Sequence, residues 1–217
     1  TRVLQAPSSG AGSSLTISAT VDSASLTNTL SIPLTSGAAD RTQSTIAVSP
    51  SSIVANGSSV SVVTVTLKDS LGNQLTTGGN AVVISATRGT LLGTVNDNGN
   101  GTYSQVLRSS TLAGSGTLSF TVSSLSSPNT ATYSFIPGAA SLSQSRVIAS
   151  PTTVIPDGAS QSSISVILKD ANGNALTSSA GTVALSTTTG TWAGAITDNN
   201  DGSYSRTLVA PSSPSTA

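Results

Sequence analysis

Apolar and polar residues alternate along several short segments of the chain, and a period of two is typical of β-strands that bury one face. The clearest segment runs from Val60 to Leu67, with Val63, Val65 and Leu67 on the same face. The same alternation is found at residues 81–86, 103–107, 118–122 and 131–135. No segment shows the 3.6-residue period of an amphipathic helix. The pattern predicts an all-β fold.

Clusters of Asn and Gly separate these segments, and such clusters favour tight hairpin turns. They lie at Asn56-Gly57, Gly72-Asn73, Gly78-Gly79-Asn80 and Asn98-Gly99-Asn100-Gly101. About seven short strands per 100 residues, joined by turns, describe a two-sheet antiparallel sandwich.

The chain repeats itself at an offset of 101 residues. Lys68-Asp69 returns as Lys169-Asp170, and Gly101-Thr102-Tyr103-Ser104 returns as Gly202-Ser203-Tyr204-Ser205. A period of about 100 residues is the length of one immunoglobulin-like sandwich. The sequence therefore predicts tandem immunoglobulin-like antiparallel β-sandwiches, with about seven strands in each complete repeat.

The phase of the repeat divides the chain into three parts. Residues 1–40 are predicted to be the C-terminal strands of a preceding repeat, residues 41–140 a complete domain, and residues 141–217 a domain without its last strands. We expect the boundaries at two short linkers, Gly37–Asp40 and Gly138–Ser141.

This phase has a consequence for the two end segments. Residues 15–21 and 27–34 are expected to form the last two strands of their sandwich. An open sandwich exposes apolar side chains and unpaired backbone groups, so we expect both ends to be completed. Either the chain continues in a longer array, which we favour, or the N-terminal strands of one molecule fill the gap of another.

Composition removes most catalytic chemistry. The chain has no His, Cys or Met, and its eight Lys plus Arg balance eight acidic residues, all Asp. The usual general base, the Cys nucleophile and soft metal ligands are therefore missing, and no basic face is available for nucleic acid. We expect no enzyme, no cofactor and no nucleic-acid partner. No apolar run is long enough to span a membrane, so we expect no membrane contact by this segment.

The ordered motifs resemble those of the bacterial immunoglobulin-like domains of the invasin and intimin group. These motifs are Ser-Pro, an Asn-Gly or Asp-Gly turn, a Val/Ile-rich strand ending in Leu-Lys-Asp, then Gly-Asn, Asp-Asn and Gly-Thr/Ser-Tyr; they start at Ser49 and again at Ser150. The resemblance implies a tandem array on a surface adhesin, outside the bacterial cell. It implies a spacer or stalk segment, with neighbouring repeats of the same chain or adjacent subunits as partners.

Two other functions stay open at this stage. The chain could be a subunit of an extracellular filament assembled by strand complementation, or an adhesive module that binds a glycan or a host protein. Trp192, which replaces Leu91 of the preceding repeat, is the candidate ligand-binding residue. Lone Trp residues bind sugars, but core or interface packing is the favoured interpretation.

Two acidic motifs have alternative interpretations. The run Asp198-Asn199-Asn200-Asp201-Gly202 resembles a calcium loop, and Asp198 and Asp201 are its candidate metal ligands. A hairpin turn explains the same residues without a metal and is favoured. Lys68-Asp69 and Lys169-Asp170 are interpreted as strand-end charges that discourage edge pairing, in preference to an intramolecular cross-link.

Overall fold

The computed structural model describes residues 12–213, which contain β-strands, turns and bends and no helix. The predicted all-β class is confirmed. Contact clustering gives two compact units. The described part of the first holds residues 12–53, 57–110 and 115–134, and that of the second holds residues 54–56, 111–114 and 135–213. The predicted boundaries near residues 40 and 140 stay a prediction.

Residues 12–36, which we call the N-terminal hairpin, form four short strands. Their bounds are β1 (Ser14–Ile17), β2 (Thr20–Val21), β3 (Ala24–Ser25) and β4 (Leu30–Pro33). β1 pairs antiparallel with β4, and β2 with β3. The turn residues Asp22 and Ser23 have positive φ, which matches a tight hairpin. The strand predicted over residues 15–21 is thus broken into β1 and β2, whereas the strand predicted over residues 27–34 contains β4 alone, and β3 precedes it.

The middle repeat is built from two antiparallel sheets. The first sheet has the order β5-β7-β10-β9, with β5 (Thr45–Ser49), β7 (Val60–Thr66), β9 (Thr90–Asp97) and β10 (Thr102–Arg108). The second has the order β12-β11-β13-β6, and β8 also pairs with β11. Its strands are β6 (Ser52–Val54), β8 (Val82–Ala86), β11 (Gly114–Val122), β12 (Leu125–Ser126) and β13 (Ala131–Ile136).

The core of the middle repeat follows the predicted alternation. Val63 and Val65 of β7 are fully buried, as is Leu67 just after it, whereas Val60 and Val62 are about half exposed. Buried Leu118 and Phe120 come from the second sheet. Burial of large aliphatic and aromatic side chains is the main stabilising contribution in such a sandwich.

The third repeat contains a sheet with the same arrangement as the first sheet of the middle repeat. Its order is β14-β15-β17-β16, with strands β14 (Arg146–Ser150), β15 (Gln161–Ile167), β16 (Thr191–Asp198) and β17 (Ser203–Val209). The register is conserved across the offset, because Tyr103 pairs with Val65 and Tyr204 pairs with Val166. A small core forms around the buried residues Val166, Leu168, Leu176 and Tyr204.

Candidate functional site: the linkers and their loops

A short loop follows the long central strand of each repeat. In the middle repeat this anchor loop covers residues 68–74, and in the third repeat residues 169–175. Its ends are bridged, Lys68 to Gln74 and Lys169 to Ala175. In the first loop the Gly72 amide donates to the Asp69 carbonyl, and Gly72 has a φ of 83°. Glycine adopts this left-handed conformation without the cost that a Cβ would bring.

The Asp of the first anchor loop accepts hydrogen bonds from two segments at once. Oδ1 of Asp69 accepts from the backbone amides of Leu71 (3.0 Å) and Asn73 (2.9 Å). Oδ2 accepts from the backbone amide of Gly37 in the linker (2.9 Å) and from the Asn73 side chain (3.1 Å). The residue is only 4% exposed. The carboxylate therefore joins the linker to the loop.

The third repeat has the same arrangement. Oδ1 of Asp170 accepts from the amides of Asn172 and Asn174, both at 2.9 Å. Oδ2 accepts from the Gly138 amide (2.9 Å) and from the Asn174 side chain (2.8 Å). Asp170 is 1% exposed. A buried carboxylate needs such donors, because an unpaired one would be costly.

These donors control the pKa of both carboxyls. The hydrogen bond from the Gly37 amide is the largest influence on Asp69 and lowers its pKa below the ordinary value of 3.8. Burial raises the pKa of Asp170, but the hydrogen bonds from Asn174, Gly138 and Asn172 outweigh burial and leave the pKa below 3.8. Both groups are therefore ionised at neutral pH.

A buried serine holds the other end of the first linker. Ser44 donates its hydroxyl to the Asp40 carbonyl (2.7 Å) and accepts from the Lys68 amide (3.0 Å). The Asp40 amide donates to the Lys68 carbonyl (2.7 Å).

The second linker is held by the equivalent contacts. Ser145 donates its hydroxyl to the Ser141 carbonyl (2.7 Å) and accepts from the Lys169 amide (3.0 Å). The Ser141 amide donates to the Lys169 carbonyl (2.7 Å).

The strand-end interpretation of Asp69 and Asp170 is wrong. A side chain that deters edge pairing must be exposed, whereas these two are buried and fully engaged. Sequence reasoning missed their role because their linker partner is a backbone amide 32 residues away. The available signal was the equal spacing from Gly37 to Asp69 and from Gly138 to Asp170.

The candidate calcium ligands lie in the hairpin between β16 and β17. Oδ1 of Asp198 accepts from the Asn200 amide (2.9 Å), and Oδ1 of Asp201 accepts from the amide (2.9 Å) and hydroxyl (2.6 Å) of Ser203. Asn100 holds Thr102 in the same way in the preceding repeat. Within residues 12–213, no three His, Cys, Asp or Glu side chains are grouped for a metal ion. Calcium binding stays a prediction.

Trp192 lies on β16, at the edge of its sheet, and is half-buried. The guanidinium carbon of Arg206 lies 5.0 Å from the centre of its ring, within the range of a cation–π contact. Arg206 also donates Nε to the Gly194 carbonyl (2.9 Å). The tryptophan is therefore packed on one side and is not a fully buried core residue. Ligand binding by this ring stays a prediction.

Comparison with known proteins identifies the repeat. Residues 40–138 and 141–217 match the family described as invasin, domain 3. No curated protein sequence matches the chain. The part of the chain that the structure describes has no helix long and apolar enough to cross a membrane.

Solved bacterial structures share the fold. One is invasin, a bacterial integrin-binding protein, at 26% identity and a TM-score of 0.61, covering 93% of this chain and 40% of that one. InvD of Yersinia pseudotuberculosis has 30% identity and a TM-score of 0.61, covering 80% of this chain and 50% of that one. FdeC, an Escherichia coli adhesin, has 22% identity and a TM-score of 0.54, covering 92% and 66%. The chain thus spans only about half or less of the first two proteins. Because the family match covers most of its length, the chain belongs to the invasin domain 3 family of bacterial immunoglobulin-like domains.

Proposed function

We propose that this chain is a non-catalytic spacer segment of a bacterial cell-surface adhesin. The observation that carries the proposal is the recurrence of one sheet, with the same strand order and register, in the middle and third repeats. Membership in the invasin domain 3 family supports an adhesin-related role and a location at the cell surface. Neighbouring repeats are the partners this role requires.

The spacer works by length and by resistance to unfolding. The longest strand, β11, has nine residues, and at about 3.3 Å per residue it gives a repeat roughly 30 Å long. Seven consecutive residue pairs join β7 to β10, and seven join β15 to β17. These ladders must be broken before a repeat can extend, and each repeat therefore contributes reach and stiffness.

The chemistry of one surface depression supports a non-catalytic role. It has a volume of about 520 Å³ and lies beside the first linker. Asp40 and Arg41 are its charged lining residues; the other lining residues are Ala38, Ala39, Ser70, Asn80, Val122, Ser123 and Leu125. The Asp40 carboxylate is engaged by the amide and hydroxyl of Thr42, so no general base is held ready for a nucleophile there.

Single-molecule pulling tests the mechanical role. The segment Thr45–Ile136 should unfold in one step that releases about 300 Å of chain, at about 3.5 Å per residue. The rupture should require more force than stretching an unfolded chain. Extension without a discrete step would refute the spacer role.

Receptor binding is the alternative function, and a binding assay with a Trp192 variant tests it. The spacer proposal expects no saturable binding of the 217-residue chain to host cells or to a glycan array. Saturable binding that Trp192→Ala abolishes would overturn it. Leu142→Ala is the matched control, because Leu142 is 98% exposed and lies near the second linker.

Filament assembly by strand complementation is a second candidate, favoured by one observation. Val21 and Leu30 of the N-terminal hairpin are each 59% exposed, although Val122, at the position equivalent to Val21, is 5% exposed. A sheet supplied by another molecule would cover such residues. Concentration-dependent polymers that disappear when residues 1–36 are deleted would support complementation, and a monomer at all concentrations would eliminate it.

A further inference from the structure

The buried acids Asp69 and Asp170 carry an inference beyond the spacer role. They are two of the eight acidic residues of the chain, and they are the two that are buried. The donors described above at each carboxylate are all N–H groups. An ionised carboxylate only accepts hydrogen bonds, so the arrangement matches the charge state of the group.

The two oxygens of each carboxylate have different tasks. Oδ1 holds the anchor loop through two backbone amides, and Oδ2 reaches the glycine amide of the linker. Because one side chain spans segments 32 residues apart, the loop and the linker are fixed by the same group.

The linker backbone lies against the acid at each glycine, where an added Cβ would make ordinary van der Waals contact. A Cβ added to Gly37 would lie 3.4 Å from Cβ of Asp69, and one added to Gly138 would lie 3.8 Å from Cβ of Asp170. Backbone atoms of the linker are thus packed directly against the acid.

We propose that Asp69 and Asp170 are linker anchors, each of which keeps the linker entering its repeat ordered through a single ionised side chain. The middle and third repeats each contain one such anchor, with the same spacing of 32 residues between the linker glycine and the anchor-loop aspartate. Loss of the anchor frees the linker and leaves the sandwich of the repeat folded. The proposal does not depend on the spacer role, because its test measures the order of the linker alone.

Substitution of Asp by Asn separates this role from simple packing. Asn has nearly the same shape but carries one oxygen and one NH₂ group. In either orientation the NH₂ group faces N–H donors, those of Leu71 and Asn73 or that of Gly37, and one set loses its acceptor. The oxygen should stay with the two backbone amides of the loop and not with the single backbone amide of the linker, so the linker loses its acceptor and moves away.

The test is hydrogen exchange of the full 217-residue chain with Asp69→Asn and Asp170→Asn, one at a time. Asp69→Asn should raise exchange of the amides of residues 37–44 by about tenfold or more, and leave residues 138–145 unchanged. Asp170→Asn should show the reverse, so each variant is the control of the other. The amides of β7 and β15 should stay protected in both variants. Unchanged exchange in the linker of the altered repeat would overturn the proposal.

A third variant controls for the loss of an acid that caps a turn. Asp157 accepts from Ala159 and Ser160 within its own turn and touches no linker residue in these contacts. Asp157→Asn should leave both linkers unchanged. A linker that loosens equally in this variant would refute the specific role of the anchors.

A measurement on the unaltered chain remains decisive if a variant fails to fold. Scalar coupling across a hydrogen bond should join the Gly37 amide nitrogen to the carboxyl carbon of Asp69, and the Gly138 amide nitrogen to that of Asp170. Slow exchange of both glycine amides should accompany the coupling. Fast exchange with no coupling would overturn the proposal.

Discussion

Two residues at equivalent positions provide a matched test of burial. Ile17 of the N-terminal hairpin and Leu118 of β11 are separated by the repeat offset of 101 residues. Leu118 is 0% exposed between the two sheets of the middle repeat, whereas Ile17 is 39% exposed. Truncation to alanine should therefore have different effects at the two positions.

The cost can be estimated from burial. A fully buried leucine cut to alanine loses its transfer free energy and leaves a cavity, so Leu118→Ala should cost about 3 kcal/mol. For a repeat of about 100 residues this lowers the melting temperature by roughly 12–24 °C. Ile17→Ala should cost about 1 kcal/mol or less and leave the melting of the middle repeat in place.

Calorimetry combined with fluorescence assigns each melting transition to one repeat. Trp192 is the only tryptophan of the chain and lies in the third repeat, so its fluorescence reports that repeat. Leu118→Ala should move the calorimetric transition of the middle repeat and leave the tryptophan transition unchanged. Equal costs for Leu118→Ala and Ile17→Ala, or a cost below about 1 kcal/mol for Leu118→Ala, would refute the burial argument.

Three further predictions concern the core, one turn and pH. Val65→Asp should unfold the middle repeat, because Val65 is 0% exposed and an unpaired buried charge costs several kcal/mol; retained cooperative melting in calorimetry would contradict this. Gly101→Ala should cost at least about 1 kcal/mol more than Gly72→Ala in urea unfolding, since both have positive φ but, of the two, only at Gly101 would a Cβ meet a carbonyl oxygen, that of Leu75; equal costs would show that the contact relaxes freely. The pKa of Asp69 and of Asp170 lies below the ordinary 3.8 in the folded chain, so their stabilisation is present above about pH 4 and is lost as pH falls through the folded pKa. Because the chain has no His or Cys, the free energy of unfolding should hardly change from about pH 5 to 9. A step near pH 6–7 would contradict the assignment of the pH dependence to these two carboxyls.

Strands with a regular pattern could be predicted from the sequence. The alternation from Val60 to Leu67 predicts which side chains of β7 face the core, and the structure confirms it. β9 was not predicted, because Leu91 and Leu92 are adjacent and Gly93 follows them. The register of β9 against β10 shifts near Ser104, and such a bulge removes the period of two.

The linker anchors could not be predicted for a different reason. The sequence identifies Asp69 and Asp170 as acidic residues after a strand, and such residues are usually exposed. Their burial depends on backbone amides, which every residue except proline provides, so the residue type does not identify the donor. The folded structure alone shows which amide is close enough.

The position of each anchor defines where the chain can be divided. The hydrogen bonds described above for the Asp69 carboxylate lie between residues 37 and 73, and those for the Asp170 carboxylate lie between residues 138 and 174. A duplication or an engineered junction placed just before Gly37 or Gly138 therefore copies a complete anchor with its repeat. A junction placed after the glycine would separate donor from acceptor and produce a repeat that folds but enters its neighbour through a loose chain. Repeats can therefore be added or removed one at a time with an ordered linker only if the junctions fall outside that interval.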